Sequence, residues 1–384
     1  MQMERFLQNI RNKNKIVIFG RGDRGTAIYK KLRTDFPSVN VCFCDSLPER
    51  QGPYLDTEVL SVEEAVRRYS HELFLLTAVK TITEMYGQLR EAGVADECIV
   101  RHVPPELLED WEAERQKKRM AAHTTLRFEV NVTKHCNLNC KGCDHFAPLA
   151  DASDCMDFNV YLRDMQRISE LFGDKANEIH ILGGEPMLHP ELKRFLQAAR
   201  ELFPSAKICL DTNGTLLPKV GDDFWKFFHK QRIVIEPTMY PVPVDYEELA
   251  RTAERHHVEY QYLQKNKPGG HHTLWKCPLD LTGGQDPTES FIHCGNANRC
   301  ITLENGRLYT CSIASNMYLF NRFFGNEYVQ FGDQDGIDIY QAQSAEEIFS
   351  YLARPMPVCR YCDVKDRTMD HPWEVSRREI TEWT

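Results

Sequence analysis

Short apolar runs alternate with amphipathic stretches along the first two thirds of the chain. Lys15-Ile16-Val17-Ile18-Phe19 reads as a buried strand running into Gly20-Arg21-Gly22-Asp23-Arg24-Gly25, and helical spacing follows through about Leu32. Residues 41–44 predict a second strand ending at Asp45, and residues 73–77 a third, followed by an amphipathic helix to about Ala92. This alternation predicts a small parallel, doubly wound sheet of Rossmann-like type over residues 1–103. Pro104-Pro105 breaks the pattern, and the Glu-, Lys-, Arg- and Ala-rich stretch 106–120 reads as a solvated linker helix within residues 104–124.

From Leu126 strands and helices alternate again. Strands are predicted at 127–132, 178–182, 207–211, 233–236 and 258–262, with helices at 160–171, 190–203 and 246–256. The pattern suits a β/α barrel, complete or partial, over residues 125–275, where chemistry sits at the C-terminal ends of the strands. Residues 276–384 differ: they are loop-rich, with short strands only at 300–303 and 307–310. So weak an apolar pattern calls for a staple, which a metal cluster would supply. The whole is an α/β chain.

Composition narrows the class. With 384 residues, 42% hydrophobic and 27% charged, the chain has core enough for two or three domains. A net charge of −9 argues against generic affinity for nucleic acid or an anionic membrane. No apolar run has the length of a spanning helix, and the start lacks a signal-peptide pattern, so the expected location is the cytoplasm. Fourteen cysteines are many for a reducing compartment and point to metal binding. Eight lie in or near two groups, at 136, 140, 143 and at 294, 300, 311, 359, 362; Cys42, Cys44, Cys98, Cys155, Cys209 and Cys277 are scattered and read as small buried residues.

Cys136, Cys140 and Cys143 have the spacing C-x3-C-x2-C and directly follow the first barrel strand. Three thiolates on a four-iron cluster would leave one iron open to a ligand, whereas structural zinc takes four protein ligands. His135 or His145 could complete a zinc site, so spacing alone leaves the metal open. Two further motifs follow the next strands: Leu182-Gly183-Gly184-Glu185-Pro186 and Asp211-Thr212-Asn213-Gly214.

With these three motifs in order, the chain resembles the radical S-adenosylmethionine (radical SAM) superfamily. The resemblance implies a partial (β/α)6 barrel and a [4Fe-4S] cluster on Cys136, Cys140 and Cys143. It implies S-adenosylmethionine held by Gly183, Gly184, Glu185 and Pro186 at its amino group and by Thr212 and Asn213 at its ribose. It further implies reductive cleavage to a 5′-deoxyadenosyl radical that takes a hydrogen atom from substrate, fed by a one-electron donor such as flavodoxin or ferredoxin. The family usually has an aromatic residue before the third cysteine; here Gly142 stands there, so the adenine contacts are expected to differ.

The second group, Cys294-x11-Gly306-x4-Cys311, then Cys359-x2-Cys362, resembles the auxiliary-cluster extension called twitch, the short form of SPASM. Asn305-Gly306 is a strong hairpin signal. The resemblance implies an auxiliary [4Fe-4S] cluster on Cys294, Cys311, Cys359 and Cys362; a four-cysteine zinc site is the alternative. Cys300 reads as a buried strand position or a substitute ligand, and Cys277 as incidental or as a hydrogen-atom donor. Gly20-x-Gly22-x-x-Gly25 with Asp45 satisfies the dinucleotide pattern, but in so short a unit a scaffold competes with a nucleotide site.

The leading expectation is an oxidoreductase that takes a hydrogen atom from a polar small molecule, sugar-like or nucleotide-linked, and passes a second electron to the auxiliary cluster. Peptide crosslinking, epimerisation and a non-catalytic zinc protein are the alternatives. His145, Glu236 and Tyr240 are candidate general bases near strand ends, the run 318–324 reads as packing, and the acidic, aromatic stretch around Asp370-His371-Pro372-Trp373 is placed to close over the site.

Overall fold

The structure, a computed structural model, describes residues 2–11, 13–77, 82–101, 103–114, 125–261, 273–325 and 328–384. It divides into two compact units.

The first unit comprises Met1–Arg115 with Thr273–Trp275 and Thr368–His371. Its strands are β1 (Lys15–Phe19), β2 (Asn40–Cys44), β3 (Gly52–Tyr54), β4 (Thr57–Leu60), β5 (Leu73–Leu76) and β6 (Ile99–Val100), in the sheet order β3-β4-β2-β1-β5-β6. Apart from the β3–β4 hairpin, all pairings are parallel. Val17, Phe19, Cys42, Cys44, Phe74 and Leu76 pack one face, and Ile16, Ile18, Val41, Phe43, Leu73 and Leu75 the other. Both faces are covered, which is why these strands read as unbroken apolar runs. Cys42 and Cys44 are core residues, as expected. The β3–β4 hairpin and the helix Val62–Tyr69, capped by Ser61 through the Glu64 N–H, are additions to the sequence reading. Of the expected linker helix at 106–120, residues 106–114 are described, as the turn Pro105–Leu107 followed by a helical stretch at 109–114; residues 115–120 lie outside the described residues.

The second unit comprises Gln116–His272, Lys276–Arg367 and Pro372–Thr384. Its strands are β7 (Leu126–Thr133), β8 (Ala176–Gly183), β9 (Lys207–Thr212) and β10 (Ile233–Pro237). The pair β11 (Thr273–Lys276) and β15 (Thr368–Pro372) falls almost wholly in the first unit, and the second continues with β12 (Thr302–Glu304), β13 (Arg307–Tyr309) and β14 (Ile337–Asp338). One seven-stranded sheet runs β10-β9-β8-β7-β12-β13-β14. The part from β10 to β12 is parallel, the partial barrel expected from the sequence. The fifth expected strand, 258–262, is a single parallel bridge from Tyr260 to Ile235, with residue 262 outside the described set. The cysteine-rich region continues the barrel sheet: β12 pairs in parallel with β7 on the edge opposite β8. A two-residue turn joins β12 to β13, with φ of 46° at Asn305 and 74° at Gly306, the left-handed pair an Asn-Gly hairpin requires.

The strands of this sheet are two-faced. Phe128, Val130, Val132, Ile179, Ile181, Ile208, Leu210, Ile233 and Ile235 join the core under the helices Phe158–Phe172, Leu192–Leu202, Asp222–Lys230 and Tyr246–Arg255. Alternate positions, Arg127, Glu129, Asn131, Glu178, His180, Lys207, Cys209, Asp211 and Glu236, turn to the inner face. A barrel interior built for packing alone carries branched aliphatic residues there; this one carries charge.

Candidate active site

Cys136, Cys140 and Cys143 lie on the loop that leaves β7. Backbone bonds hold this loop against the end of β8: Gly184 N–H donates to Thr133 O at 2.9 Å, and Glu185 N–H to His135 O at 3.0 Å. A Cβ on Gly183 would lie 2.1 Å from Thr133 O, and one on Gly184 2.2 Å from His135 O. The paired glycines are thus what lets the β8 end zip onto the cysteine loop. Lys134, buried beneath the loop, donates to Glu304 Oε2 at 2.6 Å and to Asn316 Oδ1 at 2.9 Å, anchoring the loop to β12 and to the helix Ser312–Phe324. That helix contains the run 318–324.

Glu185 is fully buried. It accepts from Met187 N at 3.1 Å, Thr212 Oγ1 at 2.7 Å and Asn213 N at 2.8 Å, so it clips the end of β8 to the end of β9. Burial pushes its carboxyl up to about 7 in spite of these donors. Pro186 opens the short helical turn Pro186–Leu188. The side-chain amide of Asn213 donates to Asn137 Oδ1 at 2.8 Å and reaches Cys136 Sγ at 3.7 Å. The structure therefore brings the three motifs into one polar, hydrogen-bonded group.

The donor set suits an iron–sulfur cluster. Burial pushes the thiols of Cys136, Cys140 and Cys143 up, Cys140 to about 11, so uncharged thiols are favoured until a cation binds. Yet N–H groups already aim at the sulfurs: Leu138 N lies 3.4 Å from Cys136 Sγ and Trp373 Nε1 3.1 Å from Cys140 Sγ. Such donors match anionic sulfur. The second group fits in the same way. Cys294 Sγ accepts from Asn296 N and Ala297 N, each at 3.3 Å. Burial, then the nearby thiols of Cys294, Cys362 and Cys359, push Cys311 far up. Cys277 hydrogen-bonds to Cys362, placing a fifth cysteine beside this group.

Cys300 faces a different way: burial first, then Glu129 and Asp144, raise its thiol, and it hydrogen-bonds to Glu129. It is a polar-face residue rather than the apolar strand position expected. Glu129, itself raised by burial, also takes Arg127 Nη1 at 3.2 Å. Beside it His145 Nδ1 donates to Asn131 Oδ1 at 3.2 Å, and Asn296 Nδ2 to Asp144 Oδ2 at 3.3 Å. Asn131 is 1% exposed, and its Nδ2 has no partner among the described residues. Deeper in the barrel, burial lowers the His180 pKa, but Asp211 at 2.9 Å and Glu178 at 2.8 Å outweigh it and hold the imidazolium to about 12. Glu236 is tied to Lys207 at 2.5 Å and Cys209 at 3.2 Å. Of the candidate bases, His145 and Tyr240 lie by the cysteine loop, Tyr240 bonded to Cys140, while Glu236 is locked in this ion network. The signal for the polar face was present in the sequence, in the alternation Arg127-x-Glu129-x-Asn131, Glu178-x-His180 and Lys207-x-Cys209-x-Asp211.

Residues 130–245 match the family described as the Radical SAM superfamily. The chain is 29% identical over 96 residues to a GTP 3′,8-cyclase of Sulfurovum sp. (strain NBC37-1), covering 24% of this chain and 28% of that protein. It is 30% identical over 98 residues to a GTP 3′,8-cyclase of Helicobacter pylori (strain ATCC 700392 / 26695), covering 25% and 30%. The matched part is thus under a third of these relatives' length. Among solved structures, BtrN in complex with AdoMet and 2-DOIA aligns over 62% of this chain and 93% of its own, at 15% identity and a TM-score of 0.37. Native anSMEcpe with bound AdoMet aligns over 63% and 84%, at 12% identity and a TM-score of 0.39. The central part of the chain, residues 130–245, thus carries a match to the radical SAM domain of that superfamily. Members use a [4Fe-4S] cluster and S-adenosylmethionine. No helix among the described residues is long and apolar enough to cross a membrane.

Proposed function

We propose that this protein is a radical SAM oxidoreductase acting on a polar small molecule, sugar-like or nucleotide-linked. Cys136, Cys140 and Cys143 hold the radical-forming cluster. Gly183, Gly184, Glu185, Pro186, Thr212 and Asn213 receive the cofactor, and Cys294, Cys311, Cys359 and Cys362 hold an auxiliary cluster. When bound, cluster and S-adenosylmethionine together supply a 5′-deoxyadenosyl radical able to take a hydrogen atom from an unactivated C–H bond. The chain's own residues bind and orient the substrate and manage its protons. A one-electron donor of flavodoxin or ferredoxin type and a cytoplasmic setting complete the reading.

The observation that carries the substrate class is the polar inner face. Asn131 holds a buried amide N–H pair without a partner among the described residues, beside His145, Glu129 and Asp144. An unpaired buried donor costs about 1–3 kcal/mol, which a substrate hydroxyl or carbonyl oxygen would recover. Glu129, with its raised carboxyl, is placed to take the proton that an oxidised alcohol releases.

Anaerobic reconstitution followed by reduction tests this. The expected result is about eight irons per chain, split between the two cysteine groups, and 5′-deoxyadenosine on adding S-adenosylmethionine. Zinc in place of iron would sink it. With a substrate in hand, product mass separates the reactions: loss of two hydrogens supports oxidation. An unchanged mass with solvent deuterium gained would replace it with epimerisation.

A further inference from the structure

The chain's end lies on the cysteine loop. Val375 forms an antiparallel bridge with Cys140; Lys141 N–H donates to Glu374 O and Ser376 N–H to Asn139 O, both at 2.8 Å. Lys141 Nζ pairs with Glu374 Oε2 at 2.7 Å. Seven residues on, buried Glu382 folds the segment back. It accepts from Ser376 Oγ at 2.5 Å, Arg377 N at 2.6 Å and Glu379 N at 3.2 Å. Trp383 then packs against Phe146, Phe320 and Phe324 and donates its indole N–H to Cys143 O at 2.9 Å. Gly142, at φ +66°, completes the fit: a Cβ there would stand 2.9 Å from Glu382 O. Where the family usually has an aromatic side chain, this chain has Gly142 with the Glu382 carbonyl against it.

Within this strap Trp373 Nε1 is 3.1 Å from Cys140 Sγ, closer than Leu138 N or Asn213 Nδ2 is to Cys136. Its ring lies 6.5 Å from that of Tyr240, which also bonds Cys140. A hydrogen bond to a cluster thiolate favours the more negative, reduced state and so raises the reduction potential. We propose that residues 373–383 are a fixed strap over the cysteine loop and that Trp373 is a positioning residue whose indole N–H eases reduction of the cluster on Cys136, Cys140 and Cys143. This rests on the reading that those cysteines hold a cluster.

Trp373→Phe keeps an aromatic ring and removes the donor; Trp383→Phe disturbs the strap but touches no sulfur. Each full-length variant is reconstituted with iron and sulfide and titrated potentiometrically under EPR. The readout is the signal that changes on adding S-adenosylmethionine, which marks the radical-forming cluster. Trp373→Phe is expected to retain its iron and to lower the reduction equilibrium about tenfold, about 59 mV for one electron, whereas Trp383→Phe leaves the potential in place. An unchanged potential in Trp373→Phe, or an equal shift in both variants, overturns the proposal. Should Trp373→Phe take up no iron, the wild-type chain with ¹⁵N-indole label decides. A ¹⁵N coupling on the S-adenosylmethionine-sensitive signal that survives Trp383→Phe supports the bond, and its absence overturns it. Wild-type protein without that signal would instead remove the cluster reading, and the proposal with it.

Discussion

At the scale of single residues, the site is fixed by close backbone approach. Gly184 lets β8 reach the cysteine loop, and Gly184→Ala would drive a methyl group to within 2.2 Å of His135 O. The strand end must then lift from the loop. A stability loss of about 3 kcal/mol is expected in thermal or urea unfolding, together with loss of S-adenosylmethionine binding. Wild-type stability in Gly184→Ala would show that the junction opens without cost. Glu185 gives a pH signature. Its carboxyl is near 4.5 when unfolded and is raised to about 7 by burial in the fold. The folded chain thus holds a proton that the unfolded chain has lost, so stability falls as pH rises from about 4.5 through about 7. Glu185→Gln, which cannot titrate, is expected to lose that component of the slope. It is also expected to weaken S-adenosylmethionine binding more than tenfold in calorimetry, because the carboxylate that would face the ammonium group is gone.

At the scale of elements, much was legible because local pattern suffices for it. The strands at 15–19, 207–211 and 233–236 and the turn at Asn305-Gly306 follow from apolar runs and from one dipeptide's left-handed geometry. The polar inner face was not recognised, although its alternation was visible, because its meaning depends on register between distant strands. His180 meets Asp211 only once β8 and β9 are aligned, and Cys300 meets Glu129 only once β12 lies beside β7. In sequence the stretch around Trp373 reads as closing over the site, but its contact with Cys140 is not legible there: the two are 233 residues apart, and nothing periodic links them. Two element-scale tests follow. Gly306, at φ +74° with Tyr340 2.9 Å from a built Cβ, is the hinge of the hairpin that precedes Cys311. Gly306→Val is expected to cost about 1–2 kcal/mol and to reduce iron at the second cysteine group, leaving the S-adenosylmethionine-sensitive EPR signal intact; full iron content would separate the turn from the cluster. His180→Gln leaves Glu178 and Asp211 facing each other without their shared cation. A loss of about 3–5 kcal/mol in urea unfolding is expected, and a value near zero would mean that water, not His180, balances those carboxylates.

At the scale of the whole molecule, the chemistry-bearing groups gather in the second unit, and the first poses the question of why it carries a glycine-rich turn. A dinucleotide site needs an acid at the end of the second strand with oxygens directed at a ribose. Asp45 stands at that place, but its Oδ2 accepts from Arg21 N and its Oδ1 from Leu47 N, each at 3.0 Å, and only 5% of the residue is exposed. The carboxylate is engaged in holding the turn itself. Gly25 serves packing: a Cβ there would lie 2.1 Å from Gly20 O, so the glycine admits the helix Asp23–Asp35 against the end of β1. Gly25's packing is common to both readings; it is Asp45's engagement with the turn that favours a scaffold role for this unit. Calorimetric titration of the full chain with NAD or with a UDP-sugar is therefore expected to give no saturable heat. Asp45→Ala is expected to lower stability by about 1–3 kcal/mol through the two amides it strands. Saturable binding that Asp45→Ala abolishes would reverse this reading: the carboxylate would then be exchanging its backbone partners for a ribose.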